Sequence, residues 1–282
     1  HQNNSYGLDE HCDNARDKIQ EALENYGVDI HFITGGTLTN LTFLSHALRP
    51  YEAVISADTG HINTHETGAI EASGHKVLSI PCTDGKLTAD LIRPVLKQHE
   101  NEHWVEPRLV YISLPTELGT VYTKEELEKL YQFCKRHNLY LYIDGARLAM
   151  ALAVEETQLT LKDLPDLCDA FYIGGTKNGA MFGEALILVN DDLKDHFRFN
   201  MKQRGAILAK GWMIGVQFEE LFQDNLYLEL GKRSVALAQR LKEGFIDCKI
   251  PFLCDSPTNQ LFPIFPNEFA KKINENYVTT FR

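Results

Sequence analysis

The sequence predicts an α/β fold: a mostly parallel mixed sheet with helices on both faces, followed by a smaller C-terminal α+β domain. Three observations carry this expectation. Short apolar runs rich in β-branched and aromatic residues recur along the chain. Helical stretches separate them, which is the signature of crossover connections. Near residue 216 the texture changes to long helical patterns and then to Pro-rich short strands.

Residues 9–26 read as a helix, with acidic Asp9 and Glu10 at its start and Tyr26-Gly27 at its end. The turn Thr34-Gly35-Gly36-Thr37 precedes a second helix over Leu38–Leu48. Val54-Ile55 follows a Pro-Tyr turn, and Lys76–Ile80 is a short apolar run ended by Pro81. Leu109–Ile112 is the next β-rich run. Thr123 with Glu126 three residues on forms a capping box that opens a helix over 123–137. Leu139–Ile143 ends at Asp144, Asp169–Ile173 runs into Gly-Gly, and Ala185–Val189 closes the series. Residues 1–215 are therefore expected to form a large cofactor-binding domain with an N-terminal helical arm. Residues 216–282 are expected to form a small, incomplete C-terminal domain, with short strands around Pro251, Pro257, Pro263 and Pro266.

Composition bounds the function. With 282 residues, 44% of them hydrophobic and 24% charged, the chain is an ordinary globular one that buries a large core. A net charge of -11 argues against nucleic-acid or anionic-membrane partners. No apolar run approaches the roughly 18 residues needed to span a bilayer. The six cysteines are scattered with no C-x-x-C pair, as expected of buried thiols in a reducing, cytoplasmic compartment. The sequons at Asn3 and Asn40 are read as unglycosylated, Asn40 because it falls in a helix. The first residue is His1 rather than Met, so a targeting segment upstream would lie out of view.

Four motifs carry chemistry. The Gly35-Gly36-Thr37 turn leaves N–H groups free at a helix N-terminus, where the dipole also favours an anion, so Gly36 and Thr37 would donate to a phosphate. Its plainer reading is a simple helix start. Asp144, at the end of a β-run and followed by Gly145-Ala146-Arg147, can place a carboxylate beneath a ligand. Under a pyridine ring it would keep the nitrogen protonated and make the ring an electron sink. The alternative is an N-capping Asp with a surface Arg. Lys177 lies in the glycine-framed turn Gly174-Gly175-Thr176-Lys177-Asn178-Gly179, where desolvation and a nearby cation would make its amine nucleophilic. The alternative is a solvated surface lysine. His61 and His65 stand four apart, on one face of a helix. No third ligand at a matching spacing is evident, so no metal is expected, and a ring-stacking or proton-transferring histidine is the functional reading against a structural one.

The order of these motifs resembles the low-specificity threonine aldolase and β-eliminating lyase family of fold-type I pyridoxal-phosphate enzymes. The resemblance runs from Tyr6-Gly7-Leu8-Asp9 to about Phe265. Its most specific parts are Asp144–Arg147, Tyr172–Gly179 and Lys202-Gln203-Arg204-Gly205-Ala206. It implies a fold-type I transferase-like architecture and the cofactor pyridoxal 5'-phosphate, held as a Schiff base on Lys177. Asp144 would pair with the pyridinium nitrogen, Arg147 would contact the phenolic oxygen side, Gly36 and Thr37 would hold the phosphate, and His61 would stack on the ring. Thr176 would also line the cofactor site. Tyr6 and Arg204 would approach a site across a subunit interface, in a homo-oligomer that is a tetramer or a dimer. Thr116 and Glu117 would face the substrate.

Two departures from the family pattern stand out. Glu117 occupies a position where many relatives have a histidine. Asn276 occupies the position of an arginine that grips the substrate carboxylate, about two residues before a segment like Val278-Thr279-Thr280. The expectation is that a stretch before Tyr277 is missing from this sequence and has taken that arginine with it. The implied reaction is cleavage of threonine or allo-threonine to glycine and an aldehyde, with Lys177, His61 and Asp144 as catalytic residues and His65 and Glu117 as weaker candidates for the base. The alternatives are β-elimination or transamination on the same cofactor, and a non-catalytic module that binds a phosphate ligand.

Overall fold

The structure is a computed structural model and describes residues 3–279. His1, Thr280 and Arg282, which figure in the reading above, lie outside the described residues.

Helix α1 (Glu10–Leu23) starts where Asp9 caps it, the Asp9 carboxylate accepting from the Cys12 amide at 3.0 Å. It buries Cys12, Ala15, Ile19 and Leu23, spaced three and four apart on one face. Strand β1 (Asp29–Ile33) and helix α2 (Gly36–Ala47) follow, then β2 (Glu52–Ala57) and two single-turn helices, α3 (His61–Thr64) and α4 (Ala69–Ala72). Next come β3 (Val77–Ile80), α5 (Ala89–Gln98), β4 (Glu106–Ser113) and α6 (Lys124–Arg136). The predicted capping box at the start of α6 is present: Thr123 accepts from the Glu126 amide at 3.2 Å and Glu126 accepts from the Thr123 amide at 2.8 Å. The remaining elements are β5 (Tyr140–Asp144), α7 (Leu148–Leu152), β6 (Ala170–Gly174), β7 (Glu184–Leu188), α8 (Phe197–Gln203), α9 (Trp212–Leu221), α10 (Leu226–Asp247) and α11 (Asn267–Asn274).

The seven strands form one sheet in the order β1-β7-β6-β5-β4-β2-β3. β7 runs antiparallel to both of its neighbours, and β6, β5, β4, β2 and β3 run parallel. Two cores sandwich the sheet, sorted by the period-2 alternation of the strands. Val110, Ile112, Leu141, Ile143, Phe171 and Ile173 face one core, against α1, α6 and α9. Leu109, Tyr111, Tyr142, Ala170, Tyr172 and Leu186 face the other, which also holds Phe43 and Leu44 of α2.

This is the predicted α/β architecture, with corrections. Strand β1 was not foreseen; it is a five-residue strand, Asp-Ile-His-Phe-Ile, whose partner β7 is distant in sequence. The helical pattern over 216–246 is two helices, broken by the left-handed residues Asp224 and Asn225. Residue 216 itself lies within α9, whose Ile214, Phe218 and Leu221 are buried in the main core. The expected Pro-rich strands reduce to one bridge, Phe252 to Pro263, because a ring nitrogen without a hydrogen cannot extend a ladder.

Two glycines set the level of the strand ends. A Cβ on Gly145 would lie 2.0 Å from the Tyr172 carbonyl oxygen, and one on Gly174 would lie 2.4 Å from the Ala146 carbonyl oxygen. The loop after β5 and the end of β6 therefore touch backbone to backbone. Gly145→Ala is expected to destabilise the fold by about 3 kcal/mol, because backbone must move to admit the methyl. Urea unfolding measures this, and a loss under about 0.5 kcal/mol would show that the contact is not tight.

Candidate active site

The sheet gathers the site at the carboxyl ends of β4, β5 and β6, where ligands sit in open α/β sheets. Asp144 ends β5 with its side chain on the same face as Tyr142, because the two are two residues apart. Tyr111 pairs with Tyr142 across β4 and β5, and Ser113 pairs with Asp144. Three tyrosines from three adjacent strands therefore lie on one face, and all three are buried.

These neighbours define the Asp144 carboxylate. Its Oδ2 accepts from the Tyr111 hydroxyl at 2.6 Å and from the Asn40 amide at 3.1 Å. Its Oδ1 accepts from the Tyr172 hydroxyl and from the Ala146 amide at 3.0 Å. Asn40 is oriented in turn, since its Oδ1 accepts from the Tyr142 hydroxyl at 3.0 Å and its Nδ2 also donates to Glu66 at 2.7 Å. Burial pushes the Tyr111, Tyr142 and Tyr172 hydroxyls well above their ordinary range, with Asp144 adding to the effect, so they remain donors. The N-capping role weighed for Asp144 gives way to this network.

Above this layer His61 and Glu66 form a pair. Glu66 Oε1 accepts from His61 Nδ1 at 2.8 Å, and the side chain of Glu66 is fully buried. With Asn40 also donating to that oxygen, the carboxylate is an acceptor and Nδ1 carries the hydrogen, leaving Nε2 of a neutral His61 as its basic position. The Glu66 hydrogen bond raises the His61 pKa against the opposing effect of burial, while burial pushes Glu66 up. His61 begins a single helical turn, so His65 stacks on it with ring centroids 5.4 Å apart. The Nδ1 of His65 is 2.6 Å from the Thr64 hydroxyl.

Glu117 lies against the same group. It accepts from the His61 backbone amide at 2.9 Å and from the Ser113 hydroxyl at 2.6 Å, and burial pushes its carboxyl up. Thr116 is buried with its hydroxyl 2.6 Å from that of Thr120, so it serves its own turn. Lys177 follows β6 in the glycine turn. Burial and then Arg147 pull its amine below the ordinary lysine range, while Asp144, Glu184 and Glu117 oppose the shift. Thr176 turns its hydroxyl onto Glu184 at 2.7 Å. Among the described residues no hydrogen bond or ion pair joins Tyr6 or Arg204 to this group. Tyr6 instead lies half-exposed under Lys202, whose Nζ is 4.5 Å from the ring centroid. Asn276 follows α11, and Tyr277 and Val278 beyond it are exposed.

The N-terminus of α2 adjoins Asp144. Gly35 caps α2 without a side chain, and a Cβ there would meet nothing within 4 Å. A Cβ on Gly36 would lie 3.1 Å from the Tyr172 hydroxyl, which donates to Asp144. The helix N-terminus at Gly36 and Thr37 and the strand-end acid thus share one pocket, spaced by a tyrosine. A ligand with an anionic end and a basic ring nitrogen fits this donor and acceptor set.

Asn40, Glu66, Glu184 and the three tyrosines were not singled out from sequence. For the tyrosines the signal was available: counting by twos from Asp144 reaches Tyr142, and the neighbouring strands carry Tyr111 and Tyr172 in the same phase. Asn40, on α2 one turn past Gly36, and Glu66, five residues past His61, stand near predicted site residues, whereas Glu184 reaches the site from a separate strand.

Comparison with known proteins places the chain in a family. The beta-eliminating lyase family model matches residues 1–264. A low specificity L-threonine aldolase of a Pseudomonas species is 32% identical, over 96% of this chain and 77% of the relative. The solved structure of Leishmania major threonine aldolase superposes with a TM-score of 0.96 at 54% identity, over 98% of this chain and 80% of that one. A Thermus thermophilus aspartate aminotransferase shares the fold, with a TM-score of 0.65 at 14% identity over 86% of this chain and 65% of that one. The sheet is that of the fold-type I class of pyridoxal-phosphate enzymes. Within that class the chain belongs to the beta-eliminating lyase family.

Glu66→Gln is expected to lower the His61 pKa, since the hydrogen bond to Glu66 is the largest cause of its elevation. Histidine NMR titration reads this directly. A raised folded value means that the stabilisation from the protonated pair is fully present below the ordinary 6.5 and is lost as pH rises through the folded value. The stability gap between wild type and Glu66→Gln should therefore narrow with rising pH, and a gap that widens would overturn this pairing.

Proposed function

We propose that this chain is a pyridoxal-phosphate-dependent aldolase that cleaves threonine or allo-threonine to glycine and acetaldehyde. The observation that carries the reading is the meeting of Asp144, Lys177, His61 and the α2 N-terminus in one pocket, in a chain of this family. Lys177 would hold the cofactor, and burial and Arg147, which pull its amine below the ordinary lysine range, favour the neutral form. Asp144, its oxygens fixed by Tyr111, Tyr172 and Asn40, would keep the ring nitrogen of that cofactor protonated. Gly36 and Thr37 would hold the phosphate, and Arg147 lies near Lys177. Pyridoxal phosphate, when bound, supplies the electron sink for the pair released by the cleaved bond.

His61 takes the proton of the substrate β-hydroxyl at Nε2 while Glu66 steadies the ring through Nδ1. Glu117 stands on the substrate side, beside the His61 backbone. Tyr6 and Arg204 serve a site on a second copy of the chain; the exposed apolar side chains of Tyr6, Met181 and Phe199 support a homo-oligomer. No cysteine among the described residues is in a disulfide, which supports a reducing, cytoplasmic setting. Among the described residues no helix is long and apolar enough to cross a membrane.

The decisive assay follows glycine and acetaldehyde release from both threonine diastereomers. Pyruvate with ammonia, or a keto acid, in place of glycine would overturn the aldolase reading. Lys177→Ala should abolish the cofactor's visible absorbance together with turnover. His61→Asn should retain the absorbance and lower kcat by about 10²–10⁴-fold.

A further inference from the structure

Glu184 begins β7 and is 3% exposed. Its side chain turns against the residues that lead into Lys177. Oε2 accepts from the Gly175 amide at 2.8 Å, and Oε1 accepts from the Thr176 hydroxyl at 2.7 Å. That hydroxyl accepts in turn from the Gly183 amide at 3.1 Å, so its own hydrogen is directed at Glu184. The Gly175 and Thr176 amides also reach the Gly183 carbonyl, at 3.1 and 3.2 Å. The backbone already closes this turn, and a buried carboxylate is costly where an apolar residue would fill the space. The packing does not account for an acid here, but both of its oxygens engage the two residues immediately before Lys177.

We propose that Glu184 is a positioning residue for Lys177: it fixes the turn through Gly175 and Thr176, and it supplies a negative charge that the lysine ammonium faces. The proposal builds on the reading of Lys177 as the cofactor lysine. Burial pushes the Glu184 carboxyl up to about 7, with Asp144 adding to the rise and the two donors opposing it. Lys177 is pulled down by burial and Arg147 and held up in part by Asp144, Glu184 and Glu117. The other titratable groups that feel Glu184 are Tyr142 on β5, Tyr172 on β6 and Tyr227 on α10, all pushed up and hence neutral. Glu184 therefore changes charge beside Lys177 near neutral pH, as does His61, whose charge also acts on the lysine and is common to wild type and variant.

The test uses the full chain without cofactor. The rate at which an amine-reactive ester labels Lys177, mapped by mass spectrometry across pH, reports the lysine titration with no cofactor involved. Pyridoxal phosphate affinity is measured alongside. In Glu184→Gln the labelling midpoint should move to lower pH, because the ammonium has lost a counter-charge. Pyridoxal phosphate should bind about tenfold more weakly, because the turn has lost a charge-assisted hydrogen bond. Glu184→Asp, which keeps the charge, should keep the midpoint. Should Glu184→Gln fail to fold, Thr176→Val removes one arm of the clamp and must weaken binding. An unmoved midpoint in Glu184→Gln, or unchanged binding in Thr176→Val, would overturn the proposal. Wild-type protein that binds no pyridoxal phosphate while the midpoint still shifts would sink the functional reading and leave the Glu184–Lys177 coupling standing.

Discussion

The carboxylate of Asp144 is the constraint on which the rest of the site depends. A buried acid is tolerated only when its oxygens are satisfied, and here four donors do this from two strands, a helix and the loop behind it. The donors are oriented in their turn: Asn40 by Tyr142, and Tyr111 and Tyr172 by the packing of the sheet. A change of any member leaves a buried polar atom unpaired. The geometry of the acid therefore follows from the register of β4, β5 and β6.

Around that acid the chain concentrates opposing charges. Glu66, Glu117 and Glu184 join Asp144 within one region, and burial pushes the three glutamates up. Lys177, Arg147 and His61 face them. The histidine is raised by its glutamate and the lysine is lowered by its arginine, so two bases of different ordinary strength are brought closer together. This separation of environments within one pocket is how neighbouring groups acquire different proton-transfer tasks.

Much of this was legible in the sequence, and the limits have physical reasons. The parallel strands were visible because residues buried on both faces read as continuous apolar runs, as in Leu139–Ile143. Strand β1 was not, because it is short and its partner lies more than 150 residues downstream. Asp144, Lys177 and the Gly35-Gly36-Thr37 turn announced themselves by strand ends and glycines, which are local signals. Glu66 and Glu184 could not, since their roles arise where the chain folds back: Glu66 from the loop after α3 and Glu184 from the start of an antiparallel strand. Thr176, which the resemblance implies lines the cofactor site, turns its hydroxyl onto Glu184.

The alternation that lines up Tyr111, Tyr142 and Tyr172 has a consequence for quality control of the folded protein. Sliding β5 by one residue would send Asp144 into the opposite, wholly apolar core and strip it of every donor. A misthreaded sheet would then lack the buried acid of the proposed site. Under the proposed function, cofactor uptake would report on the threading of the central strands as well as on binding.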